Sequence, residues 1–358
     1  MKIKLYHDAF LQFGGAERIP LVWASEFQQK VNCFAVEPEL FSNNLVLIEP
    51  FFRKLRKHRT LVMIYPLAPI IYRIFSKKKN RFSEISLVSS SGLAHLFAIN
   101  SKFSVLYLNT PTRWIWKKSD FEKNISFVLK AACGIFRPTY RYVDRKNVRK
   151  FDLVICNSVN IQQQIKNFYQ IDSVVVYPPI TKNSEIAKAI ENTKLPSDFF
   201  LIVARNRGYK FNDHLVQLSK LVNTQIVLCG KGTEKISGPN LIGLGFVSEA
   251  NLNWLYQNAK CLIGLSEEDF GLTPVEAALF GCPTIAFRQG GYIETVMDGI
   301  NGSLIAKNRV EEMAKVLNSI DQINFDSDRI IESASRYSQE KHISQIKQLI
   351  ELKYSWPI

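Results

Sequence analysis

The amino-acid sequence predicts an α/β protein of two doubly wound domains, each a largely parallel sheet flanked by helices. Three observations carry this. Short apolar runs of strand length alternate with helix-like segments in both halves of the chain. At 358 residues, 46% of them hydrophobic, the chain is long enough to bury two separate cores. Between the halves, Tyr177-Pro178-Pro179 followed by polar residues to Ser197 marks a boundary, because a proline pair continues neither a helix nor a central strand. The expected domains are residues 1–180 and 181–339.

In the first half, Ile3-Lys4-Leu5-Tyr6-His7 reads as a strand, and the loop from Asp8 to Gly15 leads into a helix beginning near Ala16. Gly14-Gly15 permits close backbone approach to a ligand and equally suits a plain turn. No Gly-x-Gly-x-x-Gly follows, which disfavours a nicotinamide dehydrogenase. From Phe51 to Arg81 basic and apolar blocks alternate, with Pro66 and Pro69 interrupting an apolar centre too short to span a bilayer. Two readings fit: an insertion lying among anionic headgroups, or a solvated loop on its own domain. Residues 85–89 and 104–108 read as strands with a helix from about Leu93 between them, and Asn109-Thr110-Pro111 follows. Arg137, Arg141, Arg145, Lys146, Arg149 and Lys150 read as the solvated face of a helix. Strand, cap and helix return over residues 151–169, and a last strand over 174–177.

The second half opens on Phe199-Phe200-Leu201-Ile202-Val203-Ala204, a continuous apolar run typical of a strand buried on both faces. It continues into Arg205-Asn206-Arg207-Gly208-Tyr209-Lys210. Cations at the carboxyl end of a parallel strand suit a diphosphate, Arg205 as a forked donor and Lys210 as a mobile point charge. Residues 225–229 and 241–244 add strands, and Gly230-Lys231-Gly232 is a turn, since a P-loop requires Gly-Lys-Ser/Thr.

Cys261-Leu262-Ile263-Gly264-Leu265 is the next buried strand, followed by a tight loop and a helix that stops at Gly281. Thr273 is placed to cap that helix, with Pro274 at its first position and Glu276 three residues after the cap, as in a capping box. Capping accounts for neither Glu268 nor Phe270-Gly271. Ligands of open parallel sheets sit beyond the carboxyl ends of the strands, where Glu268 and Glu276 would meet one. Carboxylate oxygens suit sugar hydroxyls and backbone N–H groups suit phosphate; a nucleotide sugar presents both. Further on, Gln289-Gly290-Gly291 suits a second phosphate nest, and Asp326 before a helix reads as a cap rather than half of a metal-binding Asp-x-Asp.

The net charge of +14 is unevenly placed: residues 1–180 hold 27 Lys+Arg against 12 Asp+Glu, and the remainder 19 against 20. An anionic partner of the first half is expected: membrane surface, pyrophosphate-linked lipid or nucleic acid. No nucleic-acid recognition module accompanies the charge, which disfavours the last. The six scattered cysteines, without Cys-x-x-Cys spacing, read as buried thiols of a reducing cytosol. The first residues turn polar too quickly for a signal peptide.

Glu268-x7-Glu276 within Glu-Asp-Phe-Gly-Leu-Thr-Pro-Val-Glu-Ala, with Gly281-Cys282-Pro283-Thr284 and Gln289-Gly290-Gly291 after it, resembles the C-terminal signature of retaining glycosyltransferases of family 4, which have the GT-B fold. Gly14-Gly15-Ala16-Glu17-Arg18, Cys156-Asn157-Ser158, Tyr177-Pro178-Pro179 and Arg205 with Lys210 fall in the family's order, so the likeness spans most of the chain. It is strongest to the mannosyltransferase-like branch that builds bacterial surface polysaccharides.

The resemblance implies two Rossmann-like domains facing each other across a cleft, the first completed by a closing helix at about 340–358. It implies transfer of a hexose, most simply mannose from GDP-mannose, to a lipid-linked glycan such as O-antigen, with retention and without a metal. Arg205 and Lys210 would neutralise the leaving diphosphate, Glu268 would touch donor-sugar hydroxyls, and Glu276 the ribose diol. Phe270, Gly271, Leu272 and Thr273, with Gly14, Gly15 and Asn109, would complete the donor site. Asn109 stands where relatives carry a histidine before Thr-Pro. A cytoplasmic protein, peripheral at the inner face of the membrane, is expected. Rival readings are a nucleotide-sugar epimerase of the same fold and a non-catalytic nucleotide-sugar-binding protein.

Overall fold

A computed structural model describes residues 3–12, 14–52, 74, 82–97, 99–117, 127–180, 185–191, 195–204 and 213–354. The chain divides into two compact units, Met1–Pro179 with Gln339–Ile358, and Ile180–Ser338.

The first unit is built on a seven-stranded sheet in the order β3-β2-β1-β4-β5-β6-β7. Its strands are β1 (Ile3–His7), β2 (Val31–Ala35), β3 (Ile48–Phe52), β4 (Ser83–Ser90), β5 (Ser101–Leu108), β6 (Leu153–Cys156) and β7 (Val174–Val175), all paired in parallel. Side chains alternate across a strand, so β1 sends Ile3 and Leu5 into one core layer and Tyr6 into the other. The first layer receives Ile19 and Trp23 of helix Gly15–Phe27, together with Ile343, Ile346 and Ile350 of the closing helix Gln339–Tyr354, spaced to lie on one helical face. The second receives Ile161, Ile165 and Tyr169 of helix Val159–Tyr169.

Two expectations for this unit are corrected. Among the described residues between β4 and β5 a single 3-10 turn forms, Ala94–Leu96, where Asp8 accepts from the backbone N–H groups of Leu93 and Ala94. The arginines of helix Phe127–Val148 and its end are not simply a solvated face. Arg137 donates to the carbonyl of Trp114, Arg141 to Ile115, Arg145 to Phe168 and Arg149 to Tyr169, while Arg141 and Arg145 also lie 5.3 and 5.4 Å from the centre of the Trp116 ring. The basic and apolar blocks of residues 53–81 lie almost wholly outside the described residues.

The second unit holds a six-stranded parallel sheet ordered β10-β9-β8-β11-β12-β13. The strands are β8 (Phe199–Val203), β9 (Gln225–Cys229), β10 (Leu241–Gly245), β11 (Cys261–Gly264), β12 (Thr284–Phe287) and β13 (Gly302–Ile305). Its two faces are covered by separate apolar layers, one through Leu215, Leu218, Met313 and Leu317, the other through Leu255, Tyr256 and Ala277. Asp326 caps helix Ser327–Ala334 by accepting from the N–H groups of Asp328 and Arg329. The five described cysteines, Cys33, Cys156, Cys229, Cys261 and Cys282, are buried thiols outside any disulfide. Among the described residues no helix is long and apolar enough to cross a membrane.

In each sheet the chain winds outward in both directions from one adjacent pair of strands, β1 with β4 and β8 with β11. The carboxyl ends of such a pair diverge into connections on opposite faces, leaving a crevice for ligand.

Candidate functional site

In the second unit β8 leaves the sheet at Val203, and the chain passes Ala204 into residues 205–212. Arg205 and Lys210 therefore follow the first strand of the central pair, but they lie outside the described residues. β11, the other strand of the pair, leads into the loop that carries Glu268 and then into helix Leu272–Ala278 with Glu276.

The loop is fixed from beneath. Ser266, buried, donates from Oγ to Oε1 of Glu268 at 2.8 Å, and the carbonyl of Glu268 accepts from the N–H of Gly291 at 2.8 Å. Tyr292, buried behind them, has its phenol pushed well above the usual range by burial and then by the charge of Glu268, with a hydrogen bond to Ser266 acting the other way. A Cβ at Gly291 would run into the backbone of Phe270, and one at Gly290 into the carbonyl of Glu268. The glycine pair that suits a phosphate nest also has a packing role: it lets two turns of backbone touch. Gln289 adds a bond from Nε2 to the carbonyl of Leu265 at 3.1 Å.

The expected capping box is absent. The N-cap is Gly271 at φ 84°, which makes no side-chain bond, and Leu272 begins the helix. Thr273 and Pro274 are its second and third residues. A left-handed residue turns the chain into the helix two positions earlier than the Thr-Pro pair suggested, and a side chain there would be strained and would press on Tyr292 and Thr295. Leu272 and Thr273 are half-buried. Phe270 is buried, its ring edge-on to Tyr337 at 5.5 Å, so it anchors the loop to the unit's core.

Glu276, relieved of capping, is half-buried, and its Oε2 accepts from the hydroxyl of Tyr256 at 3.2 Å. Tyr256 is fully enclosed on helix Glu249–Asn258. Burial pushes its phenol well above the usual range, and the charge of Glu276 adds to the effect. Cys229, at the end of β9, is pushed up to about 12 by burial and then by Glu276. Sequence reasoning missed Tyr256 and Tyr292, which no local pattern ties to the carboxylates. Ser266, two residues from Glu268, was within reach of it.

The other candidates lie on the first unit. Gly14 is the extended N-cap of helix Gly15–Phe27, with φ −159°, a conformation open to any residue. Asn109, 5% exposed, is committed at the end of β5. Its Nδ2 donates to Ser89 Oγ at 3.1 Å and to the Ser90 carbonyl at 3.3 Å, and its own carbonyl accepts from Asn157 at 2.9 Å. Beside it His95 bonds Ser90 Oγ at 3.0 Å and Asp144 at 2.6 Å, and His7 bonds the Ser89 carbonyl, which gives both histidines structural work. Among the described residues no three His, Cys, Asp or Glu side chains gather as a metal site would require.

Residues 183–337 match the model of the family described as glycosyl transferases group 1. An uncharacterized 41.2 kDa protein in the cps region of Klebsiella pneumoniae is 22% identical over 267 residues, 68% of this chain and 70% of that protein. The alpha-1,3/1,6-mannosyltransferase ALG2 of Dictyostelium discoideum is 42% identical over 81 residues, which cover 22% of this chain and only 19% of that protein. Among solved structures, Anabaena HepE in complex with UDP-glucose superimposes with a TM-score of 0.70 at 18% identity, over 98% of this chain and 100% of that one. Sucrose-phosphate synthase from Thermosynechococcus elongatus does so with a TM-score of 0.74 at 13% identity, over 99% of this chain and 100% of that one. The fold is GT-B.

Proposed function

We propose that this chain is a retaining glycosyltransferase that moves a hexose, with mannose the first choice, from a nucleotide sugar to a growing lipid-linked bacterial surface polysaccharide. The observation that carries the reading is topological. Glu268 and Glu276 lie on the connection that leaves β11, the connection that leaves β8 bears Arg205 and Lys210, and the two strands are neighbours at the centre of the sheet. The group 1 match covers this same unit, and the HepE structure holds UDP-glucose. Mannose is supported by the local likeness to ALG2, and a surface polysaccharide by the relative in a cps region.

In this reading Glu268 accepts from hydroxyls of the donor sugar and Glu276 from the ribose diol. The bond from the anomeric carbon to the diphosphate oxygen breaks, and one to the acceptor oxygen forms on the same face. The acceptor's proton passes to the departing phosphate oxygen, so the step asks no base of the protein. Arg205 and Lys210, rather than a metal ion, meet the charge that develops on the diphosphate. The first unit and the basic segment 53–81 would hold the lipid-linked acceptor at an anionic membrane surface.

A thermal-shift panel of GDP-, UDP- and dTDP-sugars tests the reading. A cognate donor at 100 times its dissociation constant adds about 2.7 kcal/mol of stability, and that donor should be consumed only when acceptor is present. A panel in which no nucleotide sugar shifts unfolding overturns it, and conversion of the donor without acceptor replaces transfer by epimerisation.

A further inference from the structure

We infer that Tyr256 is a positioning residue of the donor site, its hydroxyl holding the Glu276 carboxylate in the orientation that receives a ribose. The inference rests on the reading of Glu276 given above and extends it to a residue outside the motif.

Tyr256 belongs to a different element, the helix that precedes β11, and reaches Glu276 from the interior of the unit. Its ring is stacked on Phe280 at 5.8 Å and 14°, just past the end of the helix that carries Glu276, so the phenol cannot swing away without unpacking that junction. The hydroxyl is a lasting donor, because burial holds the phenol protonated far above neutral pH, and the buried Cys229 thiol is likewise held neutral.

Glu276 itself stands between Val275 and Ala277, both buried, so its backbone is fixed by packing and only the rotation of its side chain remains to be set. A carboxylate has about four acceptor positions, and the bond from Tyr256 takes one of them and helps to orient the group. A carboxylate aimed in advance loses less rotamer freedom when a diol binds. A purely structural role would show in stability; a positioning role shows in recognition of the ribose.

Tyr256→Phe keeps the ring, the stacking and the volume, and removes only the donor. Binding of GDP and UDP, and of their 2′-deoxy and 3′-deoxy forms, would be followed by calorimetry, with thermal unfolding of the free protein beside it. The expected result is about tenfold weaker binding of the ribonucleotide by the variant, with its unfolding temperature little changed. Wild type and variant should bind equally well the deoxy form that lacks the hydroxyl received by Glu276. The inference is overturned if the variant matches wild type on the ribonucleotide while wild type still discriminates against a deoxy form. It is also overturned if the variant loses ribo and deoxy forms alike, the mark of a structural role. If wild type binds all three forms equally, or binds neither nucleotide, the reading of Glu276 fails and this inference falls with it.

Discussion

The indole nitrogen of Trp23 donates to Nε2 of His342 at 3.0 Å, and the opposite ring nitrogen of His342 lies 2.7 Å from the carbonyl of Tyr177. The imidazole is therefore a neutral ring that accepts on one side and donates on the other, stacked on Trp23 and edge-on to Tyr107. It seats the closing helix on the first unit.

Acid should loosen that seat. Burial lowers the His342 pKa from 6.5 to about 4, with the bond to Tyr177 opposing. The unfolded chain takes up the proton first, so the stabilisation is whole above pH 6.5 and is lost as pH falls toward 4. The loss is about 3 kcal/mol. Urea unfolding of wild type and His342→Gln between pH 7 and 4 checks this: the advantage of wild type should shrink by that amount, and a constant difference would contradict it.

Asp144, itself buried, accepts from His95 Nε2 at 2.6 Å, Trp116 Nε1 at 2.7 Å and the Tyr169 hydroxyl at 2.8 Å. Asp144→Ala would strand these donors together, and a cost of about 3–5 kcal/mol is expected. A shift of the urea midpoint worth less than 1 kcal/mol would show that the network matters little.

Gly291→Ala drives a methyl group into the backbone of Phe270. It should cost about 1–3 kcal/mol and weaken nucleotide-sugar binding, since the loop bearing Glu268 must move. Gly134→Ala is the matched control: among the described residues nothing lies within 4 Å of its added carbon, and mid-helix it should stabilise by about 0.5–1 kcal/mol. Equal behaviour of the two variants would remove the packing role of Gly291.

Lys210→Ala should lower turnover ~10²- to 10³-fold while leaving circular dichroism and melting unchanged. Turnover near that of wild type would take Lys210 out of the leaving-group role.

What could be read along the chain is what neighbours in sequence settle. The continuous apolar runs of β8 and β11 announce strands buried on both faces, and the Glu268-x7-Glu276 spacing falls on the connection next to the central strand pair. β2, β3 and β13 went unread. β3 and β13 are sheet edges and β2 lies next to one, and Asn32, Glu49, Pro50 and Ser303 blur their apolar pattern, so pairing with a neighbour rather than local preference makes them strands. The start of helix Leu272–Ala278 differs from the expected one because Thr-Pro resembles a cap, whereas the N-cap is Gly271 at positive φ, with Tyr292 and Thr295 filling the space a side chain would need. Tyr256 meets Glu276 across twenty residues and Trp23 meets His342 across 319. Such bonds have no period or spacing, since they exist only once elements distant in sequence have packed together and a polar atom turned from water must find a partner there.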